Sequence, residues 1–380
     1  MRAPDRARTA RRRRVAVAAG TAVAIASLGF GLALGSGPRS GTARRDAAAR
    51  LSVGELAGQR IVVGFQGTHA PSGVRKLIRR GRVAGVILFA SSFPSRAAGR
   101  RLIHRLQRIH RPPGLRDNLL VMIDQEGGLV KRVSGAPRAS AARMGARGRR
   151  FSARQGRLTA RNLLGLGVNV DLAPVLDVAR PGGVIAETHR SFGGTAERVS
   201  ATGVPFAAAM QAGGLAATAK HFPGLGAARG NTDYGAQRIR LPRRVLRRVD
   251  EAPYRGFIAR RGSMVMLSTA IYPALSPKPA AFSREVATRE LRVRLGFRGV
   301  SITDALQTGA VRAVGGPRRA ALAAARSGVD LLLFTESGAA ADAYWALRRK
   351  LRAGVLDRRR FERSVQRVLV LRHRATRDPN

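Results

Sequence analysis

Polar residues able to do acid–base and nucleophilic chemistry follow several short apolar segments of this chain. They combine carboxylates, cations and a histidine: Asp124, Arg132, Lys220, His221 and Asp304. Cleavage of a glycosidic bond needs a carboxylate against an oxocarbenium-like centre and a proton donor for the leaving oxygen. Cations at the same place would hold sugar hydroxyls by charge-assisted hydrogen bonds. The residue types therefore favour chemistry on a glycoside.

Thiol, metal and dinucleotide sites find no support in the sequence. The chain has no cysteine, which excludes thiolate nucleophiles, thiolate metal ligands and disulfides. Its six histidines show no HExxH spacing, no EF-hand loop is present, and no GxGxxG turn follows the first apolar segment. We therefore expect neither a metal nor an organic cofactor.

Eight short apolar segments alternate with Arg-, Ala- and Leu-rich stretches of helical character. Continuous apolarity, rather than alternation, indicates strands that are buried on both faces of a parallel sheet. Eight strand–helix units in one chain indicate a single-domain α/β fold, a (β/α)8 TIM-type barrel. The predicted strands are 60–65, 83–89, 119–123, 168–172, 216–219, 264–267, 300–302 and 330–334. A final helix is predicted after Asp357, from apolar residues at helical spacing.

The barrel would gather the polar residues at one end. In this architecture the chemistry lies at the carboxyl ends of the strands. Asp124 follows the third predicted strand, Lys220 and His221 follow the fifth, and Asp304 follows the seventh. We expect their side chains to surround one pocket sized for a single pyranose unit.

The amino-terminal 35 residues combine a cluster of arginines with an apolar stretch, unlike the rest of the chain. Arginines at 11–14 precede an uncharged apolar stretch over 15–35. A cationic start followed by an apolar segment is typical of a secretory signal peptide or a membrane anchor. We expect that segment over 1–35, a polar linker over 36–50, and the barrel over 51–375. The barrel would then be exported, to the extracellular space or the cell envelope.

The formal net charge of +48 is extreme. The excess of Arg over Lys, with abundant Ala, Gly and Val, fits the codon usage of a GC-rich genome. The alternative interpretation is attraction to a polyanion, for which an acidic cell-wall polymer is the candidate partner. Nucleic acid is not expected, because no basic stripe interleaved with aromatic residues and no zinc-finger spacing occurs.

Five motifs occur in a specific order along the chain. They are IDQEGGLVKRV (123–133), VDLAPVLDV (170–178), HRSFGG (189–194), KHFPGLG (220–226) and RGVSITDAL (298–306). Together they resemble glycoside hydrolase family 3, especially its single-domain bacterial β-N-acetylhexosaminidases. The resemblance extends over roughly residues 51–372.

The resemblance implies a role for several residues. Asp304 matches the family nucleophile, which forms a covalent glycosyl-enzyme; the alternative is a helix N-cap. Residues that match the sugar-binding positions are Asp124, Arg132, Arg190, Lys220 and His221. For Arg190, the alternative is a structural ion pair with Glu187 or Asp177.

The sequence departs from the family at the general acid/base. The hexosaminidases carry an Asp-Ser-His triplet after the KHFPG motif, and Asn231 and Asp233 stand here at the positions of its Asp and His. Three hypotheses follow. Asp233 replaces the His as a carboxylic acid, which requires burial or the neighbouring Asp304 to raise its pKa. Alternatively the chain has lost catalysis, or another group such as Glu126 is the acid.

The sequence therefore predicts a retaining exo-β-N-acetylglucosaminidase, a monomer that acts on cell-wall or chitin-derived glycosides. The alternatives are a catalytically silent barrel that binds sugar or peptidoglycan, and a β-glucosidase-like hydrolase of the same family.

Overall fold

The structure, a computed structural model, describes residues 47–312 and 314–376, and it contains the predicted barrel. Its strands are β1 Ile61–Phe65, β2 Gly85–Leu88, β3 Leu120–Ile123, β4 Val170–Asp171, β5 Ala216–Phe222, β6 Met264–Leu267, β7 Ile271–Tyr272, β8 Ser276–Pro279, β9 Val300–Thr303 and β10 Leu332–Phe334. Eight of them form one parallel sheet in the order β10-β1-β2-β3-β4-β5-β6-β9. Leu331, next to β10, bridges Ile302 of β9, so the ends of the sheet meet.

All eight apolar segments of the sequence coincide with barrel strands. The strand β5 is longer than predicted and continues through Lys220 and His221 to Phe222, whereas β2 and β4 are shorter than predicted. The antiparallel hairpin of β7 and β8 has no counterpart in the sequence prediction. Its strands are short and β8 contains two prolines, so it offers no regular alternation of apolar and polar residues.

Helices connect successive strands and cover the outside of the barrel. They are α1 Val53–Gly58, α2 Ser72–Arg79, α3 Arg96–Gln107, α4 Ala141–Leu164, α5 Val184–Glu187, α6 Ala196–Ala212, α7 Arg243–Val245, α8 Ala252–Ala259, α9 Gly309–Arg312, α10 Pro317–Ser327, α11 Ser337–Arg352 and α12 Arg358–Thr376. The longest, α4, is interrupted at Gly148, where φ is 81°. The described residues also contain two π-helical segments, Leu246–Asp250 and Glu285–Arg294, and four short 3-10 turns.

The strands are buried on both faces, as their continuous apolarity predicted. In β1, Val62 belongs to the cluster inside the barrel, whereas Ile61 and Val63 pack in the cluster between strands and helices. Inside the barrel, Val368 and Leu371 of α12 join the apolar cluster formed by the strands. A filled barrel leaves space for a ligand at its ends rather than along its axis.

The final helix begins as predicted. Oδ1 of Asp357 accepts a hydrogen bond from the backbone N–H of Arg360 at 2.8 Å, which caps the first turn of α12. The four apolar residues that predicted this helix are all buried: Phe361, Val365, Val368 and Leu369.

The predicted signal or anchor over 1–35 lies outside the described residues. Of the predicted linker over 36–50, only residues 47–50 are described, where Ala48–Arg50 forms a 3-10 turn and Ala48 is buried. Within the described ranges, no helix is both long enough and apolar enough to cross a membrane.

Candidate active site

One cavity of about 460 Å³ lies at the carboxyl ends of the barrel strands, and we call it the strand-end cavity. Apolar side chains on the barrel strands or directly after them contribute to its lining: Ile87, Leu172, Met266 and Leu333. All seven residues singled out in the sequence line it: Asp124, Arg132, Arg190, Lys220, His221, Asp233 and Asp304. The barrel therefore brings together residues that are up to 180 positions apart in the sequence.

Lys220 and Arg190 are held by carboxylates that follow β3. Nζ of Lys220 donates to Oδ1 of Asp124 at 2.7 Å and lies 2.7 Å from Oε1 of Glu126. Arg190 makes a two-pronged contact with Glu126, from Nε to Oε2 at 2.8 Å and from Nη2 to Oε1 at 2.7 Å. The two alternatives that the sequence offered for Arg190, Glu187 and Asp177, are not its ion-pair partners.

Glu126 is ionised in this network. Burial by itself would raise the pKa of the Glu126 carboxyl, but Lys220 and Arg190 outweigh that effect and hold its pKa well below the usual range. Burial opposes the charged forms of both cations, but Asp124 and Glu126 raise the pKa of Lys220, and Glu126 raises that of Arg190. A carboxylate held in this way has no proton to give near neutral pH. The geometry therefore argues against the hypothesis that Glu126 is the general acid.

Replacing Glu126 by Gln should destabilise the fold strongly. The substitution removes the carboxylate that Lys220 and Arg190 share and leaves their positive charge incompletely compensated, which costs about 3–5 kcal/mol in the free energy of unfolding. Because the folded-state pKa of Glu126 is lowered, its contribution is complete above the unfolded value of 4.5 and declines as the pH falls below it. Urea unfolding at neutral pH measures the effect. The exposed Glu187→Gln is the matched control, expected within about 0.5 kcal/mol of the unsubstituted protein; equal losses in both would contradict the argument.

His221 is oriented by the buried Asp177. Nδ1 of His221 lies 2.8 Å from Oδ2 of Asp177, and Oδ1 of the same carboxylate accepts from the backbone N–H of His221 and of Leu225. Because a carboxylate only accepts, Nδ1 carries the hydrogen and Nε2 remains available to a ligand. Lys220 and His221 both line the cavity although they are neighbours on β5. The pairing of β5 with β6 shifts register between Ala219 and Phe222, which interrupts the usual alternation of side-chain directions.

Asp304 stands immediately after β9, between two other strands. Its backbone N–H donates to the carbonyl of Leu267 at 3.2 Å, and Leu306 N–H donates to the carbonyl of Leu333 at 2.9 Å. Burial is the main influence on the Asp304 carboxyl and raises its pKa. Asp233 raises the pKa further, whereas His221 lowers it. Asp304 thus lies within electrostatic reach of both residues.

The loop that carries Asp233 is fixed to the segment after Asp304. The backbone N–H of Gly309 donates to the carbonyl of Asp233 at 2.8 Å, and Ala310 N–H donates to the carbonyl of Thr232 at 3.2 Å. Asn231 Nδ2 donates to Oδ2 of Asp233 at 3.2 Å. The Asp233 side chain itself is exposed at the rim. The structure therefore does not bury Asp233, although the sequence hypothesis named burial as one way to raise its pKa.

Sequence reasoning missed the supporting roles of three residues. Gln125 holds the loop after β3, because its Oε1 accepts from the backbone N–H groups of Arg132 and Val133. Asp177 appeared only as an alternative partner for Arg190, and Glu126 only as an alternative acid. Both are acidic and lie in the segment that follows a barrel strand, which is the signal that could have identified them.

Comparison with known proteins gives a consistent result. The model of the glycosyl hydrolase family 3 N terminal domain matches residues 52–371. An uncharacterized secreted glycosyl hydrolase of Arthroderma benhamiae is 37% identical over 330 residues, which are 84% of this chain and 92% of that protein. A beta-hexosaminidase of Alkalilimnicola ehrlichii is 35% identical over 283 residues, or 72% of this chain and 79% of that protein.

Solved structures agree with these matches. The beta-N-acetylhexosaminidase of Beutenbergia cavernae is 30% identical with a TM-score of 0.79, and the match covers 85% of this chain and 99% of that one. The family 3 beta-N-acetylglucosaminidase of Paenibacillus sp. is 34% identical with a TM-score of 0.80, and the match covers 86% of this chain but 63% of that longer one.

Proposed function

Since this chain belongs to glycoside hydrolase family 3, we propose that it is a retaining exo-β-N-acetylglucosaminidase whose active site is the strand-end cavity. The observation that supports this proposal best is the position of Asp304. Its carboxyl lies in a cavity beside the paired cations Lys220 and Arg190, at the end of the barrel where enzymes of this architecture work. The proposed preference for N-acetylglucosamine is supported by the beta-hexosaminidases and beta-N-acetylglucosaminidases among its relatives.

The reaction proceeds in two steps at the anomeric carbon. The ionised carboxylate of Asp304 attacks that carbon, and the glycosidic bond breaks as Asp233 transfers its proton to the departing oxygen. A water molecule then gives a proton back to Asp233 and attacks the same carbon, which releases Asp304. Each step inverts the configuration at the anomeric carbon, so the two steps together retain the β configuration. The proton and electron count of the reaction balances without a metal or a redox partner.

The charged residues opposite Asp304 bind the sugar. Asp124 accepts hydrogen bonds from hydroxyl groups while Lys220 keeps it ionised and oriented. Arg132 contributes a guanidinium whose Nε has no hydrogen-bond partner among the described residues. His221 offers Nε2 in an orientation fixed by Asp177. Because the apolar barrel interior closes the far side of the cavity, a terminal sugar fits and an internal unit of a chain does not.

Export and a carbohydrate target in the cell wall or in chitin are part of the same proposal. Export is supported by the cationic and apolar character of residues 1–35 and by the relative described as secreted. We also propose that the protein acts as a monomer.

A silent sugar-binding barrel is the second candidate, because Asp233 is exposed and the family's acid/base histidine is replaced. A glucose-specific hydrolase is the third. The three differ in turnover and in the sugar they prefer, which a substrate comparison can resolve.

We expect an aryl N-acetyl-β-glucosaminide to be hydrolysed with a kcat/KM at least about tenfold above that of the matching aryl β-glucoside. A pocket that fits the acetamido group gains a few hydrogen-bond and packing contacts, each worth about 1–3 kcal/mol. Proton NMR should detect the β-anomer of the sugar as the first product. Binding of N-acetylglucosamine without turnover would favour the silent barrel, and a preference for the glucoside would favour the third candidate.

A further inference from the structure

A second cavity of about 620 Å³ lies at the opposite end of the barrel from the active site. It is lined by seven arginines, and we call it the arginine cavity: Arg60, Arg284, Arg292, Arg326, Arg360, Arg363 and Arg367. Arg60 precedes β1 and Gly328 precedes β10, so the cavity adjoins the amino ends of the strands. The five residues of β1 span about 16 Å, which separates it from the strand-end cavity.

The inner part of this cavity carries more positive than negative charge. Nη2 of Arg292 lies 2.5 Å from Oδ2 of Asp330, and Nη2 of Arg367 lies 2.7 Å from Oδ1 of the same residue. Within the part of the chain that the structure describes, Arg60 has no ion-pair partner; it donates from Nε to the carbonyl of Asp330 at 3.1 Å and also to the carbonyl of Val329. Three cations thus share one carboxylate, which leaves this group with a net charge of +2.

Two of the three inner arginines, Arg60 and Arg292, are incompletely compensated. Arg60 is fully enclosed by protein, and burial lowers the pKa of its guanidinium to about 10; Asp330 opposes this effect, whereas Arg367 and Arg292 add to it. Burial also lowers the pKa of Arg292, whose Nε has no hydrogen-bond partner among the described residues. A buried charge without a full counter-charge is costly, so this cluster favours an added anion.

The rim of the cavity adds exposed cations. Arg284, Arg326, Arg360 and Arg363 are all exposed and line its opening. Asp357 is the one acidic residue among those that line the cavity, and it already caps α12. The nearby Glu285 and Glu362 pair with arginines outside the cavity, Arg289 and Arg358. The inner ion pairs have a role in folding, whereas the exposed arginines around the concavity are not part of those pairs.

We propose that the arginine cavity binds a phosphate group carrying two negative charges, as in a phosphomonoester or a pyrophosphate of a soluble molecule. Guanidinium groups match phosphate oxygens in two-pronged geometry, and a dianion would neutralise the inner excess of two charges. A carboxylate would neutralise only half of it. The concave shape admits a single group and presents no flat face to a bilayer.

Isothermal titration with sodium pyrophosphate at constant ionic strength tests this site. The chain should bind one pyrophosphate, and R326Q/R363Q should weaken the affinity by about tenfold or more, since each variant removes a charge-assisted contact at the rim. R149Q/R150Q removes the same charge from exposed positions on α4 and serves as the matched control, expected within about twofold of the unsubstituted chain.

The other outcomes each contradict the proposal in a recognisable way. Equal weakening in both double variants would indicate general attraction to a chain of net charge +48. Loss of binding in Arg132→Gln would place the anion in the strand-end cavity. Sedimentation with phosphatidylglycerol vesicles, without any binding of pyrophosphate, would indicate a membrane-facing patch. None of these readouts depends on hydrolysis, so the result is independent of the proposed enzymatic function.

Discussion

Replacing Asp304 by Asn is expected to lower kcat on aryl N-acetyl-β-glucosaminides by about 10⁴-fold or more. The substitution keeps the shape of the side chain but removes the nucleophilic oxygen, so the covalent intermediate cannot form. The measurement is steady-state release of the aryl group at neutral pH, with no alteration expected in the ability to bind N-acetylglucosamine. Residual turnover within about tenfold of the unsubstituted enzyme would show that Asp304 is not the nucleophile.

A stability measurement provides the control for this variant. Burial raises the folded-state pKa of Asp304, so the folded chain binds this proton more tightly than the unfolded chain. The contribution of Asp304 to stability therefore falls as the pH rises through that pKa, and at neutral pH its ionised carboxylate opposes folding. A neutral Asn removes the penalty, so the Tm of Asp304→Asn should equal or exceed that of the unsubstituted protein. A lower Tm would indicate that loss of activity reflects a damaged fold.

Replacing Asp233 by Asn should produce a loss that depends on the leaving group. For substrates whose leaving group needs a proton, such as an N-acetylglucosamine disaccharide, kcat/KM should fall by about 10²–10⁴-fold, the usual contribution of a general acid. For dinitrophenyl glycosides, which depart without a proton, the fall should be below about tenfold. Parallel assays of both substrates measure the difference. Unchanged rates for the poor leaving group would remove Asp233 from the mechanism.

The same variant should also shift the acid limb of the pH profile. Asp233 raises the pKa of Asp304, so its removal lowers that pKa and keeps the nucleophile ionised at lower pH. The acid limb measured with the dinitrophenyl substrate should therefore move to lower pH. The exposed Asp342→Asn, whose residue pairs with Arg318 and does not line the strand-end cavity, should leave both the limb and the leaving-group dependence unchanged.

The proposed mechanism also predicts the distance between the carboxyl groups of Asp233 and Asp304 when sugar is bound. Retaining glycosidases hold their carboxyl groups about 5–5.5 Å apart. Asp233 sits on a loop that is fixed by backbone hydrogen bonds to the residues after Asp304, so only a modest closure would enclose it when sugar is bound. Such closure would supply the burial that Asp233 lacks in this structure, and a complex with a substrate analogue would reveal it.

The barrel fold and the positions of its eight strands along the chain could be predicted from the sequence. Buried parallel strands need apolar side chains on both faces, so each of the eight strands left a continuous apolar segment in the sequence. Glycoside hydrolase motifs then located Asp124, Lys220, His221 and Asp304, because polar residues directly after an apolar segment can be recognised in the sequence. The hairpin of β7 and β8 left no such signal, since its strands are too short to show alternation.

The partners of the polar residues were decided by the tertiary structure alone. Arg190 has Glu187 three positions away but pairs with Glu126, 64 positions away, because the barrel places the loops after β3 and β4 side by side. The same arrangement keeps the Glu126 carboxyl ionised near neutral pH, so it has no proton to donate as a general acid. The arginine cavity was equally hidden, since its seven arginines are scattered among the 70 basic residues of the chain. A sequence records which groups are present, whereas their charge states depend on distances and burial that only folding creates.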